Sequence, residues 1–306
     1  MPDSTLCILG CGNLGTAILK GLITNTAKDS AANFTRYIAC VHSARSEKRL
    51  SEQFPEQEKS GTLTISRGDN VKAATDSDIV ILAVDPTEVA STLGEEGLSE
   101  ALQGKLVISV AAGWERQDVE ELIPSACTGV EQKEITWVLR ALPNIAALVS
   151  QALTAIEDPS PYFPPKYLDI ANAIFSQIGT TVHIGPRLMP AATAVGGSTP
   201  AFFAIICDAL IDASVAVGVP RDSAQQMIYQ SMMGTAAMLK SGVHPAVLRD
   251  QGTSPGGCTI AGVMVLEEGS LRGTVGKALR ESVTVARLMG KEEHLNDTRH
   301  PPHGSR

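Results

Sequence analysis

Gly10-Cys11-Gly12-Asn13-Leu14-Gly15 follows directly on the apolar run Thr5–Leu9 and opens a segment, Asn13–Leu22, with helical spacing. No other feature narrows the fold as far. A G-x-G-x-x-G alone is weak; between a strand and a helix, at the head of a βαβ unit, it reads as a dinucleotide-binding turn. Gly10 allows the tight turn, Gly12 lets backbone approach a pyrophosphate, and Gly15 lets helix and strand pack closely. The helix N-terminus then offers free N–H groups and a partial positive charge to phosphate. The plainer reading is a glycine-rich turn with no ligand.

The first half continues in the same rhythm. β-type runs stand at Tyr37–Val41, Leu63–Ser66, Asp78–Val84, Leu106–Val110, Ile135–Leu139, Ala152–Ile156 and Thr181–Ile184. Pro165–Ile178 reads as a helix, with Pro at its start and Gly179 just past its end. Strands alternating with helices predict a mainly parallel sheet. Runs such as DIVILAV fit strands buried on both faces. After about Arg187 the pattern changes to helices: Pro200–Val217, Pro220–Ser241, a short turn at Pro245–Asp250, Thr259–Glu268 and Leu271–Met289. Helices apolar all round must be buried. In so small a segment that much apolar surface predicts packing against a partner chain. The expected architecture is α/β. A Rossmann-type, mainly parallel sheet domain spans 1–187, an all-helical substrate and dimerisation domain spans 188–290, and a polar, Pro-rich tail spans 291–306. A chain of 306 residues accommodates two domains.

Composition excludes several classes. The formal net charge is −8 and no Lys/Arg block stands out, so there is no footprint for nucleic acid or acidic lipid. The first residues show no signal peptide. The longest uncharged stretch, Leu188 to Cys207, carries Gly196, Gly197, Ser198, Thr199 and Pro200 in its middle, which predicts a loop before a buried helix and no membrane span. Cys7, Cys11, Cys40, Cys127, Cys207 and Cys258 form no C-x-x-C pair and read as reduced thiols of a cytoplasmic protein. No metal site is expected; His294, His300 and His303 lie in the tail.

The second strand ends at Val41, where an NAD-preferring site usually places Asp or Glu. Here the chain reads His42-Ser43-Ala44-Arg45-Ser46. A carboxylate would repel a 2′-phosphate, whereas Arg45 and the Ser43 hydroxyl would bind it. The cofactor is read as NADP(H), with NAD(H) second; the alternative makes Arg45 a solvated surface residue. In the other half, Thr253-Ser254-Pro255-Gly256-Gly257-Cys258-Thr259 precedes an apolar helix. Its glycines expose backbone N–H groups and the helix adds its dipole, a nest suited to a carboxylate. The competing reading is an ordinary Ser/Thr helix cap.

Several pieces taken together resemble the pyrroline-5-carboxylate reductases: SPGGCTIAG followed by VLEEG, and, in order, ILGCGNLGTAIL, ILAVDP, VISVAAG, VLRALPN, ATAVGGSTPAFF and GVPRDSAQQM. The resemblance runs from about Leu6 to Met289, and the SPGG-x-T piece is its most specific part. It implies an N-terminal domain that binds NAD(P)H at Gly10, Gly12, Asn13, Leu14 and Gly15. It implies C-terminal helices that interlock with a second subunit, as a homodimer or a larger assembly of dimers. The substrate carboxylate would sit on N–H groups around Ser254, Gly256, Gly257, Cys258 and Thr259. The catalytic Thr259 hydroxyl would hydrogen-bond the ring nitrogen. Asn70 would meet the adenosine ribose, and Val84, Asp85 and Pro86 would border the nicotinamide half. Ala111 and Ala112, with Pro143 and Asn144, would shape the hydride-transfer pocket. The expected reaction is NADPH-dependent reduction of 1-pyrroline-5-carboxylate to L-proline.

Four positions depart from the family pattern. Asp85 stands where Lys is usual. Gly196-Gly197-Ser198-Thr199-Pro200-Ala201 replaces Ser-Gly-Ser-Gly-Pro-Ala. Gln251-Gly252 replaces Asn-Val, so that Gly252 removes a side chain from a pocket wall. The usual acid around Gly185-Pro186 is missing. Together they raise the alternative of a substituted pyrroline or six-membered piperideine carboxylate. A rival of another class is a catalytically silent NADP(H)-binding sensor or scaffold. Asp208 and Asp212, one helical turn apart, read as facing water or a subunit boundary. Cys11 and Cys258 read as small fillers, Met232–Met238 as helix core, and Arg140 as structural.

Overall fold

The computed structural model describes residues 4–25, 34–126 and 135–289. Cys127 and the expected tail at 291–306 lie outside these. The opening strand β1 (Thr5–Leu9) explains the sheet that follows. Leu6 and Ile8 enter one apolar cluster, Cys7 and Leu9 the other, and all four are fully buried. A period-2 backbone whose two faces are both apolar must be covered on both sides. Six further strands belong to the same core: β2 (Arg36–Val41), β3 (Leu63–Arg67), β4 (Ile79–Leu82), β5 (Leu106–Ser109), β6 (Trp137–Pro143) and β7 (Ala152–Glu157), and β8 (Gly179–Ile184) closes the edge.

The helices of this part are α1 (Asn13–Thr24), α2 (Ala44–Gln53), α3 (Pro55–Ser60), α4 (Asn70–Thr75), α5 (Val89–Leu93), α6 (Leu98–Leu102), α7 (Arg116–Glu121) and α8 (Pro165–Ser176). The sheet order is β3-β2-β1-β4-β5-β6-β7-β8. Strands β1 to β6 pair in parallel, β7 runs antiparallel to β6, and β8 is parallel to β7. Chain order reverses direction at β1, between β2 and β4. The crevice beyond the carboxyl ends of those strands is where such sheets bind ligands.

Two expectations need correction. The strand read at Ile135–Leu139 lies further on, at Trp137–Pro143, because its register is set by two neighbours: Leu106 pairs with Trp137, and Pro143 with Thr154. The stretch around Gly196–Pro200 is not a loop. Pro186–Leu188, α9 (Met189–Ala192), a π-helical segment at Thr193–Ser198 and α10 (Thr199–Ala216) form one helical run. The π segment absorbs Gly196 and Gly197, and Asn144 Nδ2 donates to the Gly196 carbonyl at 2.8 Å. Pro200 falls in the first turn of α10, where its missing N–H leaves no bond unmade. By length and composition this run could cross a membrane, but 22% of its apolar window is already buried within the chain.

Contacts divide the chain into two units. Among the described residues, one contains those up to Gly197 together with 283–289; the other is Ser198–Ser282. The second holds α10, α11 (Arg221–Lys240), α12 (Pro245–Gln251), α13 (Cys258–Glu268) and the start of α14 (Leu271–Leu288). Its apolar side chains are mostly not buried within the chain: Phe203 is 53% exposed, Ile205 69% and Met233 65%. The expectation that these helices and the Met232–Met238 cluster form a core is therefore not met within a single chain. Asp212 faces solvent, paired with Arg221 at 2.7 Å.

Candidate active site

In the first unit the glycine-rich loop closes against the β4 end. Gly10 has φ +90°, a conformation that disfavours side chains, and a Cβ there would meet Val84 N at 2.6 Å and Ala83 C at 2.7 Å. A Cβ on Gly15 would overlap the Gly10 carbonyl oxygen, so α1 can dock on β1 only with glycine at this position. Gly12 is the N-cap of α1, has no side-chain cap and is open on its Cβ side. The first N–H groups of α1 therefore lack intrahelical partners and face a cradle free of side chains. The loop is tied down at two points. Cys11 N donates to Cys40 O at 2.8 Å, and Arg49 Nη2 donates to Cys11 O at 2.7 Å and to Thr16 Oγ1 at 3.3 Å.

Beside this cradle lies a cavity of about 470 Å³. It brings together Gly10, Gly12, Asn13 and Leu14 with Val84, Asp85 and Pro86 and with Ala111 and Ala112. Gly15 sits behind the loop as packing. Five further expected residues do not line the cavity, namely Ser43, Arg45, Asn70, Pro143 and Asn144. Ser43 is the N-cap of α2, its Oγ accepting from Ser46 N at 3.1 Å. Arg45 is exposed on the first turn of α2. Asn70 donates to Glu95 Oε1 at 2.7 Å. Asn144, besides holding Gly196, accepts from Ala146 N at 3.2 Å and Leu153 N at 3.3 Å, so its amide braces three backbone segments. Asp85 Oδ1 accepts from Thr87 N at 3.0 Å and Thr87 Oγ1 at 2.6 Å. These bonds hold its carboxyl below the usual carboxylate range, the hydroxyl contributing most. A fixed negative charge thus stands in the cavity wall. Trp114 Nε1 anchors the same turn by donating to Pro86 O at 2.7 Å.

His42, Ser46 and Glu88 also line the cavity. The first two lie in the stretch read for phosphate binding, and it was helix phase that decided which of its residues face inward. Arg49 had no sequence signal, because its partners are over thirty residues away.

In the second unit, α12 ends at Gly252, where an added Cβ would make only ordinary contacts, the nearest at 3.5 Å. Glycine is thus not required by the backbone there. The chain turns through Gly256 at φ +69° into Gly257, the N-cap of α13. Gly257 N donates to Ser254 O at 3.0 Å, and a Cβ on Gly257 would meet Ser254 Oγ at 2.5 Å. A side chain at Gly257 would therefore require Ser254 to shift. No side chain caps α13, so Thr259 is not the ordinary helix cap considered above. Thr259 and Cys258 are exposed, on a helix start whose first N–H groups are unpaired. Chemically this is an anion cradle with a hydroxyl beside it. Cys258 is exposed and does not act as a filler, whereas Cys11 is buried.

Residues 186–289 match a family profile described as pyrroline-5-carboxylate reductase dimerisation, and residues 5–113 one described as NADP oxidoreductase coenzyme F420-dependent. The chain is 39% identical to a pyrroline-5-carboxylate reductase of Lophium arboricola, over 97% of each chain. It is 30% identical to one of Schizosaccharomyces pombe, over 94% of this chain and 100% of that one. Among solved structures it is similar to a Plasmodium falciparum pyrroline carboxylate reductase with NADP bound, with a TM-score of 0.77 at 26% identity, covering 95% of this chain and 99% of that one.

Proposed function

The chain belongs to the pyrroline-5-carboxylate reductase family, and from that premise we propose that it reduces the C=N bond of 1-pyrroline-5-carboxylate to L-proline with NADPH. The observation that carries the reading is the Ser254–Thr259 turn. Gly256, in a left-handed conformation that favours glycine, and Gly257, packed against Ser254, open a helix N-terminus beside an unblocked threonine hydroxyl. Such a turn suits a substrate carboxylate, and a silent NADP(H)-binding scaffold has no need of it.

NADPH, when bound, supplies the hydride. Gly10, Gly12, Asn13, Leu14 and Gly15 form its phosphate cradle, and Val84, Asp85, Pro86, Ala111 and Ala112 border its other half. Ser43 and Arg45, near His42 and Ser46 in the cavity wall, serve the 2′-phosphate; Asn70 serves the adenosine ribose, and Asn144 shapes the pocket by bracing its backbone. Ser254, Gly256, Gly257 and Cys258 hold the substrate carboxylate, with Gly252 at the pocket wall. Thr259 hydrogen-bonds the imine nitrogen and relays a proton to it from water. Positioning two bound reactants contributes most of the rate, an effect that reaches roughly 7–11 kcal/mol.

The exposed apolar side chains of the helical unit support a homodimer through α10, α11 and α13, and further association of dimers. This interface accounts for the apolar run at 186–216 without a membrane. The free thiols of Cys7, Cys11, Cys40, Cys207 and Cys258 support a cytoplasmic location. The match of residues 186–289 to the dimerisation profile supports limits of 1–187 for cofactor and 188–290 for substrate and dimerisation, although contacts group residues 188–197 and 283–289 with the first unit.

A second reading rests on Gly252, whose backbone would accept a side chain that the sequence omits: a substituted pyrroline or a piperideine carboxylate as substrate. NADPH oxidation, followed by absorbance with pyrroline-5-carboxylate and piperideine-2-carboxylate side by side, separates the two. Fast turnover of the pyrroline is expected. Turnover of the larger ring alone would favour the second reading, and turnover of neither would sink both.

A further inference from the structure

A second cavity in the first unit, about 310 Å³ in volume, is separate from the nucleotide cavity and has no role in the reaction above. It opens where β6 and β7 run side by side, against the start of α7, the helical segment 186–190 and the end of α14. Four guanidinium groups line it, those of Arg116, Arg140, Arg187 and Arg287. The carboxylates in its wall are already engaged. Glu157 gives one oxygen to Arg116 at 3.2 Å and the other to Arg140 at 3.4 Å, and the Glu115 carboxylate caps α7. Arg116 is further engaged by Glu120 at 2.5 Å. Positive charge is left over. Arg187 and Arg287 have no ionic or hydrogen-bonded partner among the described residues. The Arg140 side chain is only 5% exposed, and its Nε has no hydrogen-bond partner. Burying such a donor unpaired costs free energy, and an occupant with acceptor oxygens would remove that cost. Pro186, Pro190, Ala286 and Met289 give the wall an apolar stretch, and Gly113, Gln117 and Thr193 complete it.

We propose that this cavity is a binding site for a small organic anion, held by a carboxylate head group on Arg187, Arg287 and Arg140 and by an apolar body against Pro186, Pro190 and Met289. The apolar wall decides against a bare inorganic anion, which would give up hydration there without return. Guanidinium groups suit a planar, bidentate carboxylate.

The test is isothermal titration calorimetry of the full-length protein saturated with NADPH, with glutarate and inorganic phosphate as probes at constant ionic strength. Glutarate is expected to bind saturably, and Arg187→Ala with Arg287→Ala to weaken it about tenfold or more, with the double Lys variant intermediate. Both residues are exposed, and NADPH affinity of the variants should stay within about twofold, which checks that they fold. Three results would overturn the site: no saturable glutarate binding; binding unchanged in the double Ala variant, which places glutarate at the Ser254–Thr259 turn; or phosphate binding without glutarate.

Discussion

Arg49 illustrates how much of a binding loop's geometry can depend on one side chain far away in sequence. Its Nη2 donates to the Cys11 carbonyl and the Thr16 hydroxyl, clamping the turn that carries Gly12. A charge-assisted bond of this kind contributes about 1.5–3 kcal/mol, so Arg49→Ala should weaken NADPH binding about tenfold or more, read by fluorescence titration. Unchanged affinity would show that the loop keeps its shape unaided. Asp85 acts in the opposite sense. Its carboxyl is depressed by Thr87, so its charge is fully present above the ordinary carboxylate range and lost only as pH falls through the lowered value. At neutral pH it repels a polyanionic cofactor. Asp85→Asn should tighten NADPH about fivefold, from roughly 1 kcal/mol between charges 4 Å apart in water, and the gain should disappear in strong acid. A variant that binds no better at neutral pH would remove Asp85 from the cofactor's field. Thr259→Ala should lower turnover far more than NADPH affinity; equal losses in both would argue against its contact with the imine. The glycine positions were legible because a turn's needs are local. Arg49 was not, because α2 is polar apart from Ala44 and the buried Leu50, and nothing in its own segment distinguishes this arginine.

Among the elements, the β6–β7 pair holds the most charge in the least space. Arg140 and Glu157 stand opposite one another on antiparallel neighbours, both nearly buried, with Arg116 reaching the same carboxylate. Removing one member of such a set strands the other, at about 3–5 kcal/mol. Glu157→Ala should therefore lower the melting midpoint sharply, and adding Arg140→Met should recover part of the loss; a double variant no more stable than the single would count against a stranded charge. Strands β1 to β5 were readable from apolar runs alone. The position of β6 was not, since two neighbours of opposite direction set its register and part of its length is polar. The π segment at Thr193–Ser198 escaped for a related reason. Glycine and proline there read as loop signals, and only the Asn144 bond to Gly196 from another element shows how a helix continues through them.

At the scale of the whole molecule, the alternation of strands and helices followed by helices alone was legible because each unit has its own periodicity. The limit between them was less so, because it falls inside a continuous helical run. The helical unit exposes apolar side chains that a lone soluble chain would not carry. Ile205→Glu with Met233→Glu should shift the protein toward monomer in light scattering and abolish turnover, while NADPH binding by the first unit persists. Turnover by a monomer would refute the expectation that a partner completes the site.

The nucleotide-binding unit is split in sequence, its last piece beginning at Val283 after the whole helical unit has intervened. A chain emerging from the ribosome therefore has every residue of the helical unit available before the first unit has received its final segment. The part of the protein that begins first is finished last, and a premature stop after Ser282 would remove residues from the cofactor-binding unit while leaving the helical one whole.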